Sequence, residues 1–480
     1  MKSLKWTFNL NIIFLLFFIL ASNSFAVSQS FIESKIQKEI KKLNLENIHL
    51  GIAVERTKSG QMLFTHYAER SYIPASNNKI FTAIAALFTL DKNFRFKTQI
   101  YANETNLNSV KNGQFNGNLY LKFSGDPTLT TTRLTNLIEG LKKKGIRSVS
   151  GNVYIIANDF TGPYYPMGWN HSDMNYCYAP PVSTVNLNRN CFVIELKKNG
   201  KQTTLKRITN TQFMSIDNST YLADYNELKK CQFDLVLSPD NHVELKGCLP
   251  DQLEWQFSFA VRNPALKLKE SLPSMFQDAG ISFNANVNFG SLPQGLTLIA
   301  QTQSESLYPM LEHMLLHSDN LYAETFARVV GLKVIGKGTV KAGTTAIQSV
   351  LENKLKVNTK SLQMEDGSGL SELDLTTPEF LVDVLTKTYY SSIGKTFYQI
   401  LPTSGKTGTL AYRMGTDGLL GRVHAKTGTL DGNSTLSGYV LTKNVHRLTF
   451  SIMVNGLKEN QRRNARKLQD YIVKVLYQYL

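Results

Sequence analysis

Cysteine, tryptophan and histidine are scarce in this chain: of 480 residues, 4 are Cys, 3 Trp and 8 His. No C-x-x-C spacing and no H-E-x-x-H occur, so the sequence lacks the usual ligand patterns of a zinc finger and of a helical zinc peptidase. G-x-S-x-G is also missing, which removes the nucleophile elbow of the α/β hydrolases. Beyond the N-terminal segment no apolar run is long enough to span a bilayer. Repeats and low-complexity tracts are absent. Charge of one sign is not lacking: 53 Lys and Arg against 37 Asp and Glu give a formal net charge of +16. These cations are scattered, however, with clusters only at Lys142-Lys143-Lys144 and from Arg462-Arg463 to Lys467. Without aromatic residues interleaved among them, they do not make a nucleic-acid surface. Attraction to an anionic envelope or an acidic substrate is one reading of the excess, and ordinary surface solvation is the other.

The N-terminus is present in a recognisable form. Met1-Lys2-Ser3-Leu4-Lys5 precedes a short apolar run through Ile12 to Leu20, and Ser24-Phe25-Ala26 follows. A basic start, a short apolar core and small residues at −3 and −1 predict a signal peptide cut after Ala26 and an exported, periplasmic protein. All four cysteines, Cys177, Cys191, Cys231 and Cys248, lie in one stretch. An even count in an exported chain predicts two disulfides. Three connectivities are open; the short-loop pairing, Cys177–Cys191 and Cys231–Cys248, is the expected one, and free buried thiols are the alternative.

At this length the chain divides into two or three domains. Leu50–Val54 and Gln61–Phe64, around Lys58-Ser59-Gly60, predict a β-hairpin. From about residue 93 to about residue 300 the texture is short alternating strands with Asn/Gly turns. Helical patterns return at Leu307–Ile335, Thr344–Leu355 and Thr377–Tyr390. Strands at Ser437–Leu441 and Arg447–Val454 and a helix from Glu459 to Leu480 close the chain. A β-rich block is thus inserted into an α/β domain.

Three short motifs carry chemistry. Ser76-Asn77-Asn78-Lys79 opens the apolar run Ile80–Phe88, and residues three apart share a helix face, so the Lys79 amine can reach the Ser76 hydroxyl. A lysine desolvated by apolar neighbours can be neutral enough to activate a serine. Ser318-Asp319-Asn320 follows a helical stretch and places a hydroxyl and an amide on a turn. Lys426-Thr427-Gly428-Thr429 lies between strand patterns, supplying a cation and hydroxyls for a carboxylate and a glycine that admits a close backbone. S-x-x-K, S-x-N and K-T-G in this order are the motif set of the penicillin-recognising serine enzymes.

The gap of 242 positions from Ser76 to Ser318 exceeds what a compact β-lactamase needs. In this the chain resembles the class C low-molecular-mass penicillin-binding proteins, the D-alanyl-D-alanine carboxypeptidase/endopeptidases of peptidase family S13. The resemblance covers essentially the whole mature chain. It includes Gly125-Asp126-Pro127-Thr128-Leu129, Gly168-Trp169 with Asp173, Ala179-Pro180-Pro181, Asn188-Arg189-Asn190-Cys191, Asp366-Gly367-Ser368-Gly369-Leu370-Ser371 and Leu401-Pro402. There are departures. Lys406-Thr407-Gly408 is a second K-T-G, in loop context, where the family usually has Gly-x-Asp-Gly; it is expected to be a structural turn. Glu372 stands where the family usually has arginine.

The resemblance implies an α/β fold of the penicillin-binding, serine β-lactamase-like type, an antiparallel sheet flanked by helices. The expected division is residues 27–92 and 301–480 for the catalytic domain, 93–160 and 257–300 for one inserted domain, and 161–256 for a β-rich second one. It implies peptidoglycan stem peptides and cross-bridges as substrates, β-lactams as covalent inhibitors, and no cofactor or metal. Ser76 would be the nucleophile, Lys79 its base, Ser318 the proton relay and Lys426 the cation beside it. Asn320 would hold the substrate amide, Thr427, Gly428 and Thr429 the carboxylate and oxyanion, and Ser368 and Leu370 the rim. Asp173, with Tyr178 nearby, would meet the free amine of a diaminopimelate residue. A β-lactamase and a non-catalytic envelope-binding protein remain as alternatives. A homodimer, and weak membrane contact through Leu468–Leu480, stay open.

Overall fold

The computed structural model describes residues 29–207 and 214–480; the signal segment expected before Ala26 lies outside the described residues. Helix α1 (Gln29–Lys42) buries Ile32, Ile36 and Ile40, a four-residue spacing that makes one apolar stripe. The predicted hairpin is β1 (His49–Arg56) and β2 (Gln61–His66). Helix α2 (Asn78–Thr89) carries the Ser-Lys motif at its entry. Leu307–Ile335, predicted helical with a turn at Ser318, is α3 (Leu307–His317) and α4 (Asn320–Ile335). Helix α5 (Val340–Leu355) starts earlier than its apolar pattern, because the Thr339 hydroxyl caps the Ala342 N–H. Helix α6 (Pro378–Tyr390) has Thr377 as its cap and proline at its first position.

The C-terminal part supplies β3 (Val423–Leu430), β4 (Asn433–Leu441) and β5 (Arg447–Asn455), then α7 (Arg462–Tyr479). The five strands form one antiparallel sheet in the order β3-β4-β5-β1-β2, so β3 is an edge. The sheet is covered on both faces, which is why β4 and β5 are buried almost throughout rather than alternating. On one face Leu468, Ile472, Val473 and Leu476 of α7 pack with Ile32 and Ile36 of α1. The final helix, for which membrane contact and packing on the catalytic sheet are the two sequence readings, has its apolar face on the sheet. On the other face α2 lies among α3, α4, α5 and α6 with Ile80, Phe81 and Ile84 fully buried. Each such side chain contributes about 1.5–3 kcal/mol relative to exposure.

Strands on either side of 161–256 meet in one five-stranded sheet: Lys97–Ala102, Leu119–Lys122 and Val153–Ile156 pair with one another and with Val287–Phe289 and Thr297–Gln303. A second five-stranded sheet is built from Cys191–Asn199, Gln202–Arg207, Tyr221–Ala223, Cys248–Pro250 and Glu254–Ala260. The β texture hid, besides two short helical turns at Glu104–Asn108 and Tyr225–Leu228, two longer helices, Thr131–Glu139 and Pro264–Asp278. The second begins at Asn263-Pro264, a pair that punctuates turns and also starts helices: the Asn263 side chain accepts from Leu266 N–H. Both disulfides, Cys177–Cys191 and Cys231–Cys248, form with the short-loop pairing.

Candidate active site

Ser76 lies in a 3₁₀ turn, Ala75–Asn77, that runs directly into α2. The turn is clamped to the sheet. Thr435 of β4 donates to the Pro74 carbonyl at 2.8 Å, and Asn77 donates to the Ser437 hydroxyl at 2.8 Å. Ala75 is held at φ +48°, a left-handed conformation that costs a non-glycine residue about 1–3 kcal/mol where the surrounding structure imposes it. The consequence is that the Ser76 hydroxyl turns towards the cleft while Lys79 comes up from beneath it.

The Lys79 ammonium is fully buried. It donates to the Ser76 Oγ at 2.9 Å, to Asn320 Oδ1 at 2.5 Å and to the Ser368 carbonyl at 2.7 Å. Burial lowers its pKa to about 8, although the surrounding charges of Asp366, Glu324, Asp319 and Asp374 pull the other way. Ser368 presents its carbonyl because the Asp366-Gly367-Ser368-Gly369-Leu370-Ser371 loop is wound around one carboxylate. Asp366 accepts from the backbone N–H groups of Ser368, Gly369, Leu370 and Ser371 and from the Trp169 indole at 2.8 Å. The loop presses against the Ser76 turn: a Cβ on Gly369 would stand 1.8 Å from the Ala75 carbonyl oxygen. Glu324 of α4, pushed up to about 8 by burial, accepts from Gly367 N–H.

Ser318 terminates α3 at φ +57°, and Asp319 caps α4 by accepting from Tyr322 N–H. This break turns the Ser318 hydroxyl and the Asn320 amide into the cleft. Asn320 donates to the Tyr178 carbonyl at 2.7 Å, and Arg189 pairs with Asp319. Residues of the 161–256 segment therefore brace the S-x-N turn directly. The Cys177–Cys191 bridge ties the Tyr178 loop to a strand of that segment.

Lys426, also fully buried, donates to the Ser318 Oγ at 2.9 Å and to the Thr427 carbonyl at 2.7 Å. Its pKa is pushed well below the ordinary lysine value by burial and then by the Lys79 charge. On β3, Ala425 N–H is taken by Pro402 and His424 bridges Thr403, but among the described residues the stretch 427–430 has no outer strand. Gly428 lets this edge approach the nucleophile: a Cβ there would meet the Thr435 hydroxyl at 2.2 Å and the Pro74 carbonyl at 2.8 Å. The second K-T-G is in a turn, with Lys406 and Thr407 exposed and Gly408 at φ +57°. Its neighbour Thr409 reaches the cleft by accepting from the Thr427 hydroxyl at 2.7 Å.

A cavity of about 630 Å³ opens onto these groups. Of the expected residues, Ser76, Ser318, Asn320, Thr427, Gly428, Thr429, Asp173, Tyr178 and Leu370 line it. Lys79 and Lys426 sit below its floor. Ser368, expected at the substrate, is buried with its hydroxyl on Asp366; its part is to hold Lys79 through the carbonyl. Asp173 accepts from the Tyr178 hydroxyl at 2.7 Å, and burial together with that carboxylate raises the phenol's pKa. Glu372 lines the cavity, as do Thr409, Asp431, Arg413, Arg462 and Arg466, which no motif named. The Arg462–Lys467 cluster was visible as charge, but nothing local places it at the cleft. Among the described residues there is no group of acidic, His or Cys side chains arranged to hold a metal ion, and no helix is long and apolar enough to cross a membrane.

The model of the D-Ala-D-Ala carboxypeptidase 3 (S13) family matches residues 32–476. The chain belongs to this S13 family. A D-alanyl-D-alanine carboxypeptidase DacB of Haemophilus influenzae is 30% identical over 417 residues, 86% of each chain. A D-alanyl-D-alanine carboxypeptidase of an Actinomadura species is 28% identical over 429 residues, 86% of this chain and 78% of that one. The crystal structure of penicillin binding protein 4 (dacB) from Haemophilus influenzae superposes with a TM-score of 0.86 at 28% identity, covering 92% of this chain and 99% of that one. The S13 fold expected from the three motifs is the fold observed. A predatory peptidoglycan endopeptidase of Bdellovibrio bacteriovorus, 15% identical with a TM-score of 0.53 over 90% of this chain and 93% of that one, shares the fold alone.

Proposed function

We propose that this S13 protein is an exported, periplasmic serine D-alanyl-D-alanine carboxypeptidase that also cleaves D-Ala–diaminopimelate cross-bridges in peptidoglycan. The observation that carries the reading is the hydrogen-bonded set Ser76–Lys79–Asn320 with Ser318–Lys426 beside it, in which Ser76, Ser318 and Asn320 line one cavity and the two lysines lie buried beneath them. Stem peptide lies along the free edge of β3. Ser76 Oγ attacks the carbonyl of the penultimate D-Ala, and its proton passes to Lys79. At neutral pH about a tenth of an amine with a pKa near 8 is free base, enough to serve as one. Backbone N–H groups of Ser76 and Thr429 receive the developing oxyanion. Ser318, held in place by Lys426, relays the proton taken up by Lys79 to the leaving amine, which returns Lys79 to its free base; the Lys426 charge together with Thr427 takes the leaving residue's carboxylate. Water then hydrolyses the acyl-enzyme.

Cross-bridge cleavage needs no further chemistry. The acyl group is the same D-residue, and only the leaving amine differs. Asp173, which lines the cavity beside Tyr178, would receive the free amine of the acyl donor's diaminopimelate. β-Lactams would acylate Ser76 as substrate mimics, in keeping with the 27% identical Haemophilus influenzae penicillin binding protein 4 solved with a β-lactam, TM-score 0.81 over 93% of this chain and 100% of that one. The test combines fluorescent penicillin with peptides. Ser76→Ala should lose covalent labelling, and Asp173→Ala should lower kcat/KM about tenfold on donors with a free side-chain amine but little on acetylated ones. Wild-type labelling of Ser76→Ala would remove the nucleophile assignment, and equal losses on both donors would remove the role of Asp173.

A further inference from the structure

Three arginines reach the cavity from outside every motif: Arg413 from the turn after Leu410, and Arg462 and Arg466 from α7. Their positions oppose stability. The first turn of α7 holds Arg462 and Arg463 and no acidic residue, so cations crowd the positive end of the helix dipole. Arg462 and Arg466 are a like-charged pair four residues apart. Burial and the charges of Arg413 and Arg462 hold the Arg466 guanidinium below its ordinary pKa. Arg413 has a structural explanation, because Asp470 binds it at 2.7 Å and Gln469 at 3.1 Å. Among the described residues Arg462 pairs only with Asp431, at 2.6 Å, and that carboxylate is 87% exposed. The Arg466 side chain has no hydrogen-bond or ion-pair partner among the described residues.

Their place along the cleft indicates what they meet. Strand β3 runs from Lys426 and Thr427, beside Ser318, past Thr429 to Leu430, and Asp431 follows at the turn. The leaving residue's carboxylate belongs to the first end, so the acyl donor extends to the second. Asp431 lies close enough to Tyr178 for its charge to raise that phenol's pKa. The Asp173–Tyr178 pair and the Asp431–Arg462 pair line the same cavity as the Thr429–Leu430 end of β3. Glu372, which also lines the cavity, repels an anion from its own wall.

We propose that Arg462 and Arg466 form an anion subsite for a carboxylate of the acyl-donor peptide, distinct from the terminal carboxylate bound at Thr427. The proposal rests on the reading of the cleft as a D-Ala-D-Ala peptidase. With Asp173 it makes the acyl-donor end bipolar, suited to a peptide that carries an amine and a carboxylate upstream of the scissile bond.

Two peptides ending in D-Ala-D-Ala test it, differing only in a free carboxylate or its primary amide on the acyl-donor side. The ratio of their kcat/KM values is the readout. Wild-type protein should prefer the carboxylate by about tenfold or more, as expected for a charge-assisted contact. Arg462→Ala and Arg466→Ala should each lower the ratio, and the double variant should bring it close to one. Arg466→Lys should keep part of the preference. Lys467→Ala, an exposed neighbour outside the cavity, should keep all of it, which separates a local contact from net charge. Added salt should shrink the wild-type ratio. Penicillin labelling reports whether each variant is folded, and Arg466→Gln replaces Arg466→Ala if the latter is not. A wild-type ratio near one, or a ratio that survives the double variant, overturns the subsite and leaves the peptidase reading standing. Wild-type protein that labels with penicillin yet hydrolyses neither peptide overturns both.

Discussion

The tripeptide Lys-Thr-Gly occurs twice, at 406–408 and at 426–428, and the two copies share almost nothing but their spelling. Lys426 is on an edge strand, fully buried, with its amine on the Ser318 hydroxyl. Lys406 is exposed on a turn, and the Thr407 hydroxyl is spent on the turn itself, accepting from Thr403 N–H. Gly428 is a flat residue that lets strand and nucleophile touch; Gly408 is a positive-φ residue that lets a turn close. A motif of this kind has chemical meaning only when a strand aims its lysine inwards and burial strips the water from it. In the turn the same lysine is a solvated surface charge.

The sharpest way to break this contrast is to remove each lysine in turn. Lys426→Ala should lower the penicillin acylation rate by about 10²–10³-fold, the scale for losing one preorganised electrostatic contact, and Lys406→Ala should leave it within about twofold. Comparable losses from the two variants would end the distinction. The glycines should fail in different ways. Gly428→Ala should cost about 100-fold in acylation, because its Cβ pushes against Pro74 and displaces the reacting groups. Gly408→Ala should instead lower thermal stability, by about 1–2 kcal/mol for a left-handed non-glycine residue, with the acylation rate of the folded fraction retained.

The pH profile tests burial itself. A base must be deprotonated to act, and Lys79 has its pKa lowered to about 8. The acylation rate should therefore rise about tenfold per unit below pH 8 and level off above it. Lys406→Ala should leave that bend in place, whereas a bend near the ordinary lysine value would contradict the buried-base reading. The smallest effect sharpens the one link between the two copies. Thr409→Val removes the acceptor for the Thr427 hydroxyl and should raise KM for D-Ala-D-Ala peptides about fivefold, the worth of one neutral hydrogen bond. No change in KM would show that the turn contributes nothing to the cleft.

Legibility followed the range of the interaction. The Ser76-Lys79 contact, the helix that starts at Thr377 and the turn at Ser318 depend on residues a few positions apart, and each is read from local spacing. The short-loop disulfides belong to the same class. Ser368 was misplaced because its side chain gives no hint that an entire loop wraps the Asp366 carboxylate and turns the serine's carbonyl towards Lys79. The helix at Pro264–Asp278 was missed because Asn-Pro marks a turn and a helix start alike. Arg466 was seen only as part of a basic run.

The sequence by itself determined the serine and lysine three residues apart, the order of the three motifs and the long gap between the first two, and with them the S13 family. These are properties of residue type and spacing along one chain. Only the tertiary structure decided that the Ser368 carbonyl meets Lys79, that the 161–256 segment braces Asn320 through Tyr178, and that α7 brings Arg462 and Arg466 to the cleft. Each of these joins residues separated by tens to hundreds of positions, which meet only because the sheet and its covering helices bury their apolar faces together.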